Sequence, residues 1–232
     1  MIVAIVQARM GSTRLPGKVL MDLGGQPLLQ VMLNRVRRIV GVDRVILATT
    51  LRTEDDALCD FGDKLGVGVY RGAESDVLHR IYHAARAIGA QVVMRLTGDC
   101  PLIDPAVSAE VLRSFCLWRN RPQEAFHYVS NVHPPVYPDG LDTEVLSIET
   151  LAAAYREATA PDDREHVTSF VWKRPERFRC LGMSATGDLS QYRWTVDTAQ
   201  DLDHVRQLVA IAGPHADLPA YLKAEVALTA HV

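Results

Sequence analysis

A chain of 232 residues with 48% apolar and 23% charged side chains has the balance of an ordinary globular protein. Disorder needs low hydrophobicity with high net charge, and the formal charge is only −3. So small a charge excludes a broad electrostatic grip on nucleic acid, which rests on many Lys and Arg side chains neutralising phosphates, and leaves room only for a local basic site. No apolar run reaches the roughly 18 residues of a membrane helix, so no membrane partner is expected. The opening Met-Ile-Val-Ala-Ile-Val run is broken at once by Gln7 and Arg9, too early for a signal peptide, and a cytoplasmic location is expected. Cys59, Cys100, Cys116 and Cys180 are scattered with no Cys-x-x-Cys pair, which argues against a disulfide framework or zinc ribbon and reads as small buried thiols.

Strand and helix patterns alternate along the chain. Ile2 to Ala8 is a β-branched run of the kind a doubly buried parallel strand carries. A Gly-, Ser- and Pro-rich loop follows from Arg9 to Lys18. Pro27 opens a helix with apolar positions at Leu28, Val31, Met32, Val36 and Ile39, and Gly41 ends it. Val45 to Thr49 is the second strand, Glu54 to Leu65 a helix, Val67 to Tyr70 the third strand, Asp76 to Ile88 a helix, and Gln91 to Leu96 the fourth strand. Such alternation predicts an α/β fold of three layers, α/β/α, around an open, mostly parallel mixed sheet.

Beyond Asp104 the pattern loosens. Asp104 is placed to cap a helix through Phe115, and the stretch around 119–146 reads as an excursion with short strands. Ser147 is placed to cap a helix to Ala158, and Asp162 or Asp163 another through Trp172. Phe178 to Met183 and Tyr192 to Val196 read as strands, and Thr198 starts a final helix pair. With no repeat and no long linker, residues 1–232 are expected to form one domain.

The loop Arg9-Met-Gly-Ser-Thr-Arg-Leu-Pro-Gly-Lys18 directly follows the first strand, where open α/β sheets bind ligands. Arg9, Arg14 and Lys18 supply charge, Gly11 and Gly17 allow close backbone approach, and Ser12 and Thr13 add hydroxyls. Such a set suits a polyphosphate. A Walker loop is excluded, because five residues separate Gly11 from Gly17-Lys18 and Val19 follows. Thr97-Gly-Asp-Cys-Pro101 follows the fourth strand and displays Asp99, while Asp197 follows the predicted strand from Tyr192. Two carboxylates at strand ends are what Mg²⁺ needs beside phosphate oxygens and water. Turn bracing by Asp99 and helix capping by Asp197 are the plainer readings of the same residues. Taken with the basic loop, the acids suit transfer of a nucleotidyl group to an acceptor hydroxyl, with Lys18 and Arg14 on the leaving phosphates and a metal lowering the hydroxyl's pKa.

These residues carry a resemblance. The loop from Ala8 to Lys18 resembles the signature of the sugar cytidylyltransferases. Arg71-Gly-Ala-Glu-Ser-Asp-Val-Leu-His-Arg80, Thr97 to Pro101, Asp139-Gly-Leu-Asp-Thr-Glu144, Arg164-Glu-His-Val-Thr168 and Trp194-Thr-Val-Asp-Thr198 extend it over nearly the whole chain. The fullest similarity is to the spore coat polysaccharide SpsF type, relatives of the 3-deoxy-manno-octulosonate and acylneuraminate cytidylyltransferases. This resemblance implies a nucleotide-diphospho-sugar transferase-like fold, CTP as donor, an acidic 2-keto-3-deoxy type of acceptor sugar, and metal binding by Asp99 and Asp197. It also implies nucleotide contacts from Ala8, Arg9, Gly11, Ser12, Thr13, Arg14, Lys18, Arg71, Arg80 and Thr97.

Alternatives remain at several of these positions. Asp76 and Arg80 are also placed to pair across one helical face. Asp142 and Glu144 alternate along a strand and suit sugar hydroxyls, an amine or a metal, or a solvated edge. Arg164 and His166 suit the acceptor's carboxylate or phosphate, though a lone His is more often structural. His79, His83, His204, His215 and His231 read as surface or core. Related enzymes pair as dimers through the excursion, and here Tyr128, Val129, Val132, Val136 and Tyr137 have no evident core, so a homodimer is expected. The competing functions are transfer from another NTP or to a phosphorylated acceptor, and a nucleotide-binding regulator without turnover.

Overall fold

A computed structural model describes residues 1–119 and 124–230. Residues 120–123 of the predicted excursion, and His231, lie outside the described residues. The strands are β1 (Ile2–Gln7), β2 (Arg44–Thr50), β3 (Gly68–Gly72), β4 (Val92–Thr97), β5 (Tyr128–Ser130), β6 (Glu144–Ser147) and β7 (Cys180–Gly182). They form one seven-stranded sheet in the order β3-β2-β1-β4-β6-β5-β7. Every strand runs parallel to its neighbour except β6, which is antiparallel to β4 and β5.

Helices α1 (Leu28–Val36), α2 (Asp56–Leu65) and α4 (Pro105–Arg119) cover one face of the sheet, and α3 (Val77–Ala87), α5 (Ile148–Glu157), α6 (Pro161–Glu165) and α7 (Ser169–Trp172) the other. Strand β1 shows why its sequence is apolar at every position. Val3 and Ile5 pack with α3 and α5, while Ala4 and Val6 pack with α1 and α4, and none of the four is exposed. Side chains alternate across a sheet, so a strand covered on both faces needs apolar residues throughout.

A third cluster builds the far side of the site. Leu102, Leu141, Trp194 and Val196 pack against α8 (Ala199–Ala212), α9 (Leu218–Thr229) and Leu28 and Val31 of α1. Trp194 is fully buried and donates from Nε1 to Glu225 Oε1 at 2.6 Å. Arg35, also fully buried, donates to the carbonyls of Ile103 (2.7 Å), Leu102 (3.2 Å) and Pro214 (3.1 Å). One guanidinium therefore ties α1 to the turn after Asp99 and to the α8–α9 connection.

The early elements fall within a residue or two of where the sequence places them, except that α1 ends at Val36 and not at Gly41. Asp104 caps α4 through the amides of Ala106 and Val107, Ser147 caps α5, and Thr198 forms a capping box with Asp201 on α8. Three expectations are corrected. Neither Asp162 nor Asp163 caps a helix through Trp172: both lie inside α6, Val167 at φ 57° breaks the run, and α7 starts afresh. Residues Tyr192 to Val196 form no named strand; their one ladder contact is the bridge between Arg193 and Asp139, because Trp194 turns into the third cluster. Of the excursion's apolar residues, Tyr128 and Val129 do find a core, lying buried on β5, one on each face of the sheet, while Val132, Val136 and Tyr137 are half-buried. Among the described residues no helix is long and apolar enough to cross a membrane.

Gly140, at φ 111°, lies where a Cβ would come within 2.7 Å of the backbone of Trp194 and Thr195. Gly140→Ala combines overpacking with left-handed strain and is expected to reduce unfolding free energy by about 2 kcal/mol or more. Urea denaturation measures it, and a loss below about 0.5 kcal/mol, the range of neutral surface changes, would show that this crossing relaxes freely.

Candidate active site

The chain builds β1, β2 and β3 outward to one side and then returns to place β4 on the other side of β1. Crevices at such a switch point, beyond the strands' carboxyl ends, are where open sheets hold ligands. The loop after β1 is closed by its own backbone: the Met10 carbonyl accepts from Ser12 N and Gly17 N, both at 2.9 Å, and Gly17 takes φ 71°. Buried Asp55 braces the loop from behind, accepting from Met10 N at 2.7 Å, Thr50 N at 3.0 Å and the Thr50 hydroxyl. Burial alone would raise the pKa of Asp55, but these donors outweigh it and hold it below the ordinary carboxylate value.

The loop after β4 crosses this one in contact. Gly98 N donates to Gln7 O at 2.8 Å, and a Cβ at Gly98 would meet Ala8 Cβ at 2.8 Å and Gln7 O at 2.9 Å. Asp99 is thereby set opposite Lys18, whose side chain is only 9% exposed. Val196 N donates to Asp99 O at 2.8 Å, which joins the segment carrying Asp197 to the same turn.

The charged groups now meet. Lys18 Nζ lies 2.9 Å from Asp197 Oδ1 and 3.4 Å from Asp99 Oδ2. Arg14 Nη2 lies 2.9 Å, and Arg193 Nη2 2.7 Å, from Asp197 Oδ2. Burial pushes the Asp197 carboxyl up, but the bond and charge of Lys18, with Arg14 and Arg193, outweigh this and keep it below its usual range. Two carboxylates thus converge on one point that an ammonium occupies. Among the described residues no group of three His, Cys, Asp or Glu could hold a metal. Two carboxylates on one point, Asp99 and Asp197, are a donor set of the kind a hard cation such as Mg²⁺ takes, completing its shell from phosphate and water.

A cleft of about 590 Å³ opens over these groups. One side, the basic loop after β1, carries Ala8, Arg9, Ser12, Thr13, Arg14 and Lys18, and the other Thr97, Asp99 and Asp197. Arg80 and His166 also face it. Arg80 is 3% exposed, its Nη1 donates to the carbonyls of Ala73 and Glu74, and its Nε is buried without a partner among the described residues. Burial lowers its pKa. Its predicted pairing with Asp76 does not form: Asp76 caps α3 through His79 N at 2.8 Å and takes Arg164 Nε at 3.0 Å.

Five predicted site residues stay outside the cleft. Gly11 packs on Glu54, whose Oε1 a Cβ would approach to 2.7 Å. Arg71 is spent on Thr50 O (2.9 Å), Asp56 (2.6 Å) and Arg52 O (2.8 Å), where it fastens β3 to the turn before α2. Arg164 is held by Asp76 and by Tyr155 O at 2.8 Å, tying α6 to α3 and α5. Asp142 accepts from Gly140 N at 3.3 Å, and its burial, with the charge of Asp139, raises its pKa to about 7. Glu144 is 5% exposed and accepts from Arg95, the Tyr128 hydroxyl (2.7 Å) and the Thr168 hydroxyl. It acts on the cleft through Arg95.

Arg95 itself lines the cleft floor beside Gln7, whose Oε1 accepts from Arg95 Nε at 3.1 Å. Sequence reading passed over Arg95, Gln7, Glu74 and Arg193. A signal existed for Arg95, since a cation inside the apolar run Val92-Val-Met-Arg-Leu96 needs a buried counter-ion. None existed for Arg193, whose partners are set by the fold.

A basic loop facing paired carboxylates across one crevice of an α/β sheet is the arrangement of a nucleotidyltransferase. Comparison narrows the class. Residues 3–224 match the family model described as Cytidylyltransferase, and the chain belongs to this family of enzymes. It is 34% identical over 226 residues to the spore coat polysaccharide biosynthesis protein SpsF of Bacillus subtilis, covering 94% of this chain and 90% of that protein. A 3-deoxy-manno-octulosonate cytidylyltransferase of Anaeromyxobacter is 29% identical over 252 residues, covering 92% of this chain and 98% of its own. Among solved structures, a cytidylyltransferase from Leptospira borgpetersenii superposes with a TM-score of 0.90 at 28% identity, covering 99% of this chain and 94% of that one.

Glu144→Gln would leave Arg95 buried without its counter-ion, a change expected to reduce stability by about 3–5 kcal/mol in denaturant unfolding. Burial raises the Glu144 pKa, but Arg95, Thr168 and Tyr128 outweigh it and hold it below the ordinary value. Its stabilisation is therefore present above the usual Glu pKa of about 4.3 and lost as pH falls through the depressed one. The variant should show a flatter acid limb than the parent chain, and equal slopes would mean that this pair is not what titrates.

Proposed function

We propose that this chain transfers CMP from CTP to an acidic sugar of the 2-keto-3-deoxy type, releasing pyrophosphate, in the synthesis of a cell-surface polysaccharide or glycoconjugate. The observation that carries the reading is the convergence of Lys18 on Asp99 and Asp197 at the mouth of the phosphate loop. Family membership supports CTP as donor. The acidic acceptor is supported by Arg80 and Arg95, which line the far half of the cleft together with Glu74, Glu165 and His166.

In this reading the triphosphate enters between the loop after β1 and the turn after β4. Lys18 and Arg14 leave Asp197 for the β- and γ-phosphates, with Arg9 at the outer edge. A cation about 4 Å from a phosphate oxygen is worth on the order of 4 kcal/mol at an effective dielectric near 20, before desolvation. Asp99 and Asp197 hold a divalent cation, Mg²⁺ in the cell. When bound, that ion neutralises charge on the α-phosphate and makes the acceptor hydroxyl more acidic. Arg80, Arg95 and His166 bind the acid sugar and direct its hydroxyl at the α-phosphorus. The new bond joins that oxygen to the α-phosphorus, the bond to the bridging oxygen breaks, pyrophosphate leaves against Lys18 and Arg14, and the hydroxyl proton passes to water. No side chain is assigned as a base, because a divalent cation at Asp99 and Asp197 would itself lower the pKa of the acceptor hydroxyl.

Pyrophosphate release is the direct test, run with each of four NTPs and a panel of acid sugars. CTP should be turned over at least tenfold faster than the others with a 2-keto-3-deoxy acid, and equal rates with neutral sugars would remove the acidic-acceptor reading. Lys18→Ala should lower kcat by about 10²–10³-fold, the usual loss for one donor on a developing oxyanion. The variant should also weaken triphosphate binding far more than monophosphate binding, and equal losses would count against the phosphate cradle.

A further inference from the structure

Three cationic side chains reach the Asp197 carboxylate, and two of them belong to the phosphate loop. Once Lys18 and Arg14 turn to a nucleotide, Arg193 alone stays. Its guanidinium faces three carboxylates: Nη2 lies 2.7 Å from Asp197 Oδ2, Nη1 bonds Asp139 Oδ2, and Nε lies 3.5 Å from Asp201 Oδ1.

Each of the two outer partners is itself anchored. Asp139 accepts from the Thr195 hydroxyl at 2.6 Å, and its backbone bonds Tyr192 O at 3.0 Å and Trp194 N at 2.6 Å. Asp201 accepts from the amides of Asp197 (3.0 Å) and Thr198 (2.8 Å) as it closes the capping box of α8. A planar fork among fixed carboxylates has one orientation, which a lysine in its place would not share. In consequence Asp197 turns Oδ2 toward Arg193 and Oδ1 into the cleft, beside Asp99 Oδ2, where both touch Lys18 Nζ.

We propose that Arg193 is a positioning residue for nucleotidyl transfer, pinning Oδ2 of Asp197 so that Oδ1 stays aimed at the cation site when Lys18 and Arg14 depart. The proposal rests on the reading of Asp99 and Asp197 as the cation-holding pair. Positioning and simple charge predict opposite results. As a nearby cation Arg193 repels a metal, so acting by charge alone its removal would tighten metal binding. As the group that orients a ligating carboxylate, its loss loosens binding, and such outer partners are worth about 10–100-fold in metal affinity.

The experiment is Mn²⁺ binding to the whole chain with a CTP analogue carrying a methylene between the α- and β-phosphorus atoms, with free Mn²⁺ read by electron paramagnetic resonance. Arg193→Lys keeps the charge and loses the fork; its Mn²⁺ affinity should fall about tenfold or more while circular dichroism stays that of the parent. Asp139→Asn leaves Arg193 in place but removes one carboxylate that fixes it, and should weaken Mn²⁺ binding by a smaller, several-fold factor. Unchanged or tighter binding in folded Arg193→Lys overturns the proposal. If that variant does not fold, unchanged binding in Asp139→Asn overturns it instead. Should the parent chain with the analogue bind no Mn²⁺, the reading of Asp99 and Asp197 fails and the role of Arg193 with it. Parent binding with unaffected variants removes the role of Arg193 alone.

Discussion

The Lys18 ammonium, set between Asp99 and Asp197, is the contact on which the site depends. It joins the loop after β1 to the turn after β4 and to the segment before α8, three parts of the chain with no sequence proximity. A lysine nitrogen this buried needs acidic partners, and carboxylates this close to one another need a cation between them. The three side chains thus offset one another's charge within the site. On the proposed function it would also be exchangeable, with phosphates taking the lysine and a metal the carboxylates, so that no buried charge is left alone.

The sheet makes that contact possible. Strand order places β4 beside β1, and both end at one crevice. Absence of a Cβ at Gly98 then lets the two loops cross at van der Waals distance. Around the crevice, Glu144 holds Arg95 on the cleft floor, Asp76 holds Arg164, and the buried Arg35 grips the backbone of Leu102 and Ile103. They fix the floor, the α3–α6 wall and the turn after Asp99, so that the groups facing the cleft have little freedom to lose when a ligand arrives.

Acidic motifs divide by what surrounds them. Asp142 and Glu144 are two residues apart and read as a matched pair, yet Glu144 is locked into a buried ion pair and Asp142 sits on a turn, its pKa raised to about 7. The same holds for arginines. Arg71 and Arg80 flank one motif, but Arg71 is consumed by backbone carbonyls and Asp56, while Arg80 lines the cleft with its Nη1 on the Ala73 and Glu74 carbonyls. Residue type and spacing could not separate these cases, because the partners that decide them come from distant segments.

The sequence alone determined the alternation of buried strands and amphipathic helices over the first hundred or so residues, the caps at Asp104, Ser147 and Thr198, and the basic loop after β1 with Asp99 and Asp197 as acids at strand and loop ends. These are legible because periodicity, capping and loop composition are local properties of a chain. Tertiary structure decided the rest: that Tyr192 to Val196 is drawn into a helical cluster by Trp194, that Tyr128 and Val129 are core, that Arg164 is a tie between helices, and that Arg193 stands among three carboxylates. Whether a charged side chain meets solvent, substrate or a counter-ion depends on which distant residue packs against it, and only the folded chain settles that.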